Sequence, residues 1–150
     1  MSIHVIGVGT RQGDDAAGLA VAERLGASLG GAVRVLACER GVDLLDALAG
    51  ARVAVIVDAL RSGDRPGRVR RLAPETLARG AMLSSHGFGV AEALALAASL
   101  GRAPHVVEVV AIEAGAARHG ALSPAVQAGV IEASVLVAEL VARSAAAAEG

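Results

Sequence analysis

The sequence predicts an α/β fold with a mainly parallel sheet and helices on both of its faces. Three observations carry that prediction. Short apolar runs alternate with stretches of helical spacing along the 150 residues, the order of elements that builds a parallel sheet covered by helices. The runs at 3–8 and 52–57 are largely apolar on both strand faces, as strands buried from both sides must be. The first run leads into Gly7-Val8-Gly9-Thr10-Arg11-Gln12-Gly13-Asp14-Asp15, a glycine turn that ends in two acids where a helix should begin. Open α/β sheets bind ligands at this front edge.

The elements follow in order. Residues 3–8 form the first strand. Residues 16–29 carry Ala17, Leu19, Ala20, Leu25 and Leu29 near helical spacing and stop at Gly30-Gly31. Residues 32–38 form a second strand, and 41–48 a short helix bearing Val42, Leu45 and Leu48. Residues 52–57 form the third and most central strand, which runs straight into Asp58. A turn over 62–67 precedes 68–72, whose three arginines mark a charged edge strand. A helical turn at 74–78, an extended piece at 81–84 and a helix at 90–100 come next. Residues 105–112 are another buried strand, and 113–120 a loop. Ser123-Pro124 is a favourable cap and first-position pair, opening a last helix to about residue 141. One domain over 1–143 is expected, with a frayed Ala-rich tail at 144–150.

Composition excludes several classes. Net charge is −1, with no Trp, no Tyr and one Phe, so neither a polyanion surface nor an aromatic platform for bases is present. No nucleic-acid partner is expected. Although 54% of residues are hydrophobic, no unbroken apolar span of bilayer length stands out, and no basic leader precedes the first run. A single cysteine, Cys38, excludes an internal disulfide framework. A cytoplasmic monomer is expected.

The opening loop is a poor nucleotide site. Its third glycine comes one residue late for G-x-G-x-x-G. All 14 basic residues are Arg, so the lysine of a phosphate loop is missing. Asp14 and Asp15 would repel a phosphate at a helix N-terminus and attract a cation. Asp58 at the end of the third strand, and His86 ahead of a helix, fall on the same carboxyl edge. Two carboxylates and an imidazole there suit nickel, zinc or iron better than calcium. Each residue also has a structural reading: Asp14, Asp15 and Asp58 as caps, His86 as a helix-start residue. Glu113 is either an outer partner of the site or a solvated loop acid. His4, His105 and His119 are read as structural or surface residues, and Cys38 as a small buried one.

These motifs, in this order, resemble the hydrogenase maturation proteases. The likeness rests on Gly7-Val8-Gly9-Thr10 followed by Gly13-Asp14-Asp15-Ala16-Ala17-Gly18, on Ile56-Val57-Asp58-Ala59, and on Pro66-Gly67 with Val69 and Leu72. It continues through Ser84-Ser85-His86 and Ala91-Glu92-Ala93-Leu94 to Ile112-Glu113 and Leu122-Ser123-Pro124-Ala125-Val126. The resemblance implies a three-layer α/β/α sandwich of phosphorylase/hydrolase-like type. It implies an aspartyl-type, metal-assisted endopeptidase that trims the C-terminal extension of a nickel–iron hydrogenase large-subunit precursor. The partner would be the nickel-loaded precursor, with nickel supplied by the substrate and zinc or cadmium able to occupy the same ligands. Metal contacts and catalysis would fall to Asp15, Asp58 and His86, with Asp14 as the alternative register. Three departures stand out: Thr10 replaces the family's Asn, Ala16 replaces its Gly, and the loop is one residue short. Two rival functions remain, a non-cleaving metallochaperone or assembly checkpoint on the same precursor, and a Rossmann-like small-molecule-binding domain.

Overall fold

The computed structural model describes residues 2–26, 28–77 and 89–149. Five strands form one sheet in the order β2-β1-β3-β5-β4. They are β1 (Ile3–Val8), β2 (Val33–Cys38), β3 (Val53–Leu60), β4 (Val69–Leu72) and β5 (Val106–Glu113). β2, β1, β3 and β5 run parallel, and β4 closes one edge antiparallel to β5. Chain connections leave β1 and β3 in opposite directions across the sheet, so the crevice between their carboxyl ends is a topological switch point.

β3 lies at the centre, as its β-branched content predicts, and every one of its residues is buried. Its alternation divides the core. Val53, Val55, Val57 and Ala59 face one cluster with α1 (Ala17–Leu25) and α5 (Pro124–Glu149). Ala54 and Ile56 face a second cluster with α2 (Gly41–Leu48), α3 (Pro74–Leu77) and α4 (Val90–Ser99). The result is a three-layer α/β/α sandwich.

Several sequence expectations need correction. The first helix does not start at Ala16. A 3-10 turn over Gly13–Ala16 comes first, and α1 ends at Leu25. Gly18 explains the close seat of α1: a Cβ there would lie 2.3 Å from the carbonyl oxygen of Val57 and 2.4 Å from that of Val8. β3 continues three residues past Val57, so Asp58 lies inside a strand instead of ending it. Pairing of Asp58 with Ala111 and of Leu60 with Glu113 sustains the extension. For the same reason Glu113 belongs to β5 and not to a solvated loop.

The final helix runs to Glu149, with no break at residue 143. Alanine has the highest helix propensity, so the Ala-rich tail extends α5 and does not fray from it. By length and composition alone α5 could cross a bilayer, its most apolar stretch of 18 residues having mean hydropathy 1.7. It is not an unbroken apolar span, because Gln127, Glu132, Glu139 and Arg143 interrupt it. Here α5 covers the sheet, with Val126, Val130, Ala133, Val137, Leu140 and Val141 in the core. The predicted extended piece at 81–84 and the Ser85-His86-Gly87 motif lie outside the described residues.

Candidate active site

The opening loop is built on glycine where the backbone demands it. Gly13 has φ +58°, and a Cβ there would meet the Ala117 carbonyl oxygen at 2.4 Å, so only glycine fits. The turn presses the loop against the segment between β5 and α5. The Gly13 N–H donates to the Gly120 carbonyl at 3.0 Å, and the Asp14 N–H to that of Ala117 at 2.9 Å.

The two adjacent acids have separate fates. Asp14 is fully buried. Its Oδ1 accepts from the Ser123 N–H at 2.8 Å, and its Oδ2 from the Gly115 N–H at 2.9 Å and the Ser123 hydroxyl at 3.0 Å. It does not cap its own helix; it ties the opening loop to the start of α5. Three donors leave Asp14 little capacity for another ligand. The hydroxyl of Ser123, expected to cap α5, is spent on Asp14.

Asp15 is the more accessible acid, its side chain 21% exposed. Its Oδ1 accepts from a terminal guanidinium nitrogen of Arg61 at 2.6 Å. The other terminal nitrogen of Arg61 donates to the Gly115 carbonyl at 3.2 Å. Arg61 is equally withdrawn, at 21%, so the pair is screened less than a surface ion pair. Sequence reasoning passed over Arg61; the available signal was an arginine three residues after the strand-borne Asp58.

Asp58 is fully buried in β3, and its Oδ1 accepts from the Ala59 N–H at 2.8 Å. By the alternation of β3 it shares the sheet face of Ala54 and Ile56, which α2, α3 and α4 cover. Glu113 falls on that same face by its register, two pairs further along, and is 1% exposed. Its carboxylate accepts from the Ser62 N–H at 2.9 Å and the Ser62 hydroxyl at 2.6 Å. Glu113 therefore pins the turn that follows Arg61, and is not the solvated acid considered above.

Asp15, in the turn that follows β1, and Asp58, near the end of β3, thus both lie at the carboxyl edge beside the switch point. Arg61, three residues beyond Asp58 in the chain, ties the end of β3 to Asp15 and to the Gly115 carbonyl. His86 falls outside the described residues, and among those described no group of three His, Cys, Asp or Glu side chains could hold a metal ion. Leu77 and Val90, on either side of 78–88, pack in the cluster of Ile56. The two carboxylates are suitable oxygen donors for a divalent cation, and Asp15 already attracts a cationic group. A complete ligand set needs a further donor.

The other candidates are structural or exposed. The buried His4 places Nδ1 2.7 Å from the Ala47 carbonyl. His105 and His119 are exposed. Cys38 is buried, and burial pushes its thiol up to about 11, with Asp43 and Asp46 adding to the effect. A thiol so poised is not a nucleophile near neutrality.

With this geometry in place, the likeness to known proteins becomes specific. The family described as hydrogenase maturation protease matches residues 31–140. The chain belongs to the hydrogenase maturation protease family. The matched span includes Asp58 and His86 and leaves out the shortened opening loop. The hydrogenase maturating endopeptidase HybD of Escherichia coli superposes with a TM-score of 0.85 and 28% identity, over 96% of this chain and 94% of that one. The solution structure of an endopeptidase from E. coli gives 0.77 and 26%, over 91% and 90%. A [NiFe] hydrogenase maturation protease HybD from Thermococcus kodakarensis, at 0.72 and 24% over 94% and 99%, shares the fold. No protein of curated function matches by sequence. As a member of this family, the chain is an endopeptidase of hydrogenase maturation.

Proposed function

We propose that this maturation protease removes the C-terminal extension of a nickel–iron hydrogenase large-subunit precursor after nickel insertion, and that Asp15, Asp58 and His86 carry the reaction. The observation that supports this reading most is the division of labour in the opening loop. Asp14 is buried and holds three donors, whereas Asp15, beside it, stays at the rim of the switch-point crevice with an exchangeable partner. Asp15 is therefore the acid able to take part in chemistry, and Asp14 falls away as the alternative register.

Nickel comes to the site as part of the substrate. Bound there, it supplies Lewis-acid polarisation near the scissile bond. The chain's own residues do the rest. Asp15 and Asp58 offer carboxylate oxygens to the substrate's cation, and His86 offers the imidazole. One of the two carboxylates orients the attacking water or takes its proton. Glu113 holds the Ser62 turn, and through it the position of Arg61. The protein works in the cytoplasm, on the precursor alone.

The test is direct. Asp15→Ala, Asp58→Ala and His86→Ala are each incubated with nickel-loaded precursor, and the release of the C-terminal peptide is followed by mass spectrometry. Each variant should lose at least about a hundredfold in rate, the scale of one general acid–base or electrostatic group. Normal processing by all three would defeat the assignment. A precursor left whole by the wild-type chain while bound to it would instead make the protein a non-cleaving checkpoint.

A further inference from the structure

Arg61 has a place in this site that the ligand assignment does not explain. It stands directly after β3, and its guanidinium reaches two segments at once. One terminal nitrogen meets the Asp15 carboxylate at 2.6 Å and the other meets the Gly115 carbonyl at 3.2 Å. Only 21% of either side chain is exposed. No other described donor reaches Asp15, so Arg61 alone balances its charge among the described residues. Arginine stays protonated at any physiological pH and cannot leave by losing its proton. A cation seated on Asp15 therefore meets a fixed positive charge within hydrogen-bonding distance of the same carboxylate.

The geometry points to Arg61 as a specificity residue that suppresses binding of free divalent ions at Asp15. This inference rests on Asp15 being a ligand of the substrate's cation. A free ion must displace the guanidinium from Asp15 or share the carboxylate with it, and it brings nothing to offset the loss. An ion carried by the precursor arrives with the contacts of a docked protein, which offset that cost. The rim then answers to metal already installed in the substrate and ignores metal in solution. Specificity of this kind comes from a repulsive element as much as from an attractive one.

The experiment is a calorimetric titration of the intact chain with Ni2+ and separately with Zn2+. Four proteins are compared: wild type, Arg61→Met, Arg61→Lys and Arg61→Met/Asp15→Asn. Arg61→Met should bind nickel about tenfold tighter or more, the scale on which one adjacent charge shifts ion binding to a carboxylate. Arg61→Lys should stay near wild type, because it keeps the charge. The double variant should lose the gain. Removing a merely structural brace would weaken metal binding, so the sign of the change identifies the role. Nickel affinity of Arg61→Met within about twofold of wild type overturns the inference, as does no binding by either protein. Thermal melting checks each fold, and Arg61→Gln replaces Arg61→Met if the latter does not fold. Loss of cleavage in Asp15→Ala with unchanged affinity in Arg61→Met sinks this inference and spares the protease mechanism. Tighter, Asp15-dependent nickel binding with no cleavage of any precursor does the reverse.

Discussion

Asp14 and Asp15 are chemically identical neighbours with opposite tasks. Asp14 accepts three hydrogen bonds and is out of water. Asp15 keeps one ion-pair partner at a partly open rim. A hydrogen bond to a charged group contributes about 1.5–3 kcal/mol, and a donor left buried without its acceptor costs a similar amount. Asp14→Asn places an amide against donors of its own kind, so it should lower stability by about 2–3 kcal/mol in urea unfolding. Asp15→Asn should cost less, because Asp15 has one side-chain partner where Asp14 has three donors, and the amide oxygen can still accept from Arg61. The opposite ranking would mean that the two acids have been given each other's roles. Two adjacent acids look alike in a sequence. What separates them is Ser123 and Gly115, about a hundred residues away in the chain.

At the scale of elements, the contact of α1 with the sheet is set by what is missing from it. Helix propensity favours Ala over Gly by about 1 kcal/mol, so Gly18→Ala would stabilise an isolated helix. Here the added methyl would meet two strand carbonyls at 2.3 and 2.4 Å. Overpacking costs about 1–3 kcal/mol, and backbone oxygens cannot swing aside as side chains do. The substitution should therefore lower the melting temperature, and it should slow cleavage, because α1 follows the turn that carries Asp15. A higher melting temperature with unchanged cleavage would show that α1 is free to shift. β1 and β3 were readable because burial on both faces leaves largely apolar runs. The 3-10 turn was not, because it comes from the loop docking on residues 117–120 and not from local periodicity.

For the whole molecule, the deciding question is where α5 belongs. Its length and hydropathy would suit a membrane, yet its two sides differ. Val137 is fully buried against the sheet, whereas Val135 is 57% exposed. Val137→Glu should cost more than about 3 kcal/mol by burying an unpaired charge, while Val135→Glu should stay within about 0.5 kcal/mol. A bilayer would penalise both alike, so equal losses would overturn the core-helix assignment. By itself the sequence determined the α/β class, the central place of β3, the charged edge strand and the family, because these depend on local periodicity and on the order of short motifs. Tertiary structure alone decided that Asp14 is an anchor, that Glu113 is buried in β5, that α5 covers the sheet, and that Arg61 partners Asp15. Those facts depend on contacts between segments far apart in the chain, and on whether water reaches a side chain, neither of which is encoded in any short stretch of residues.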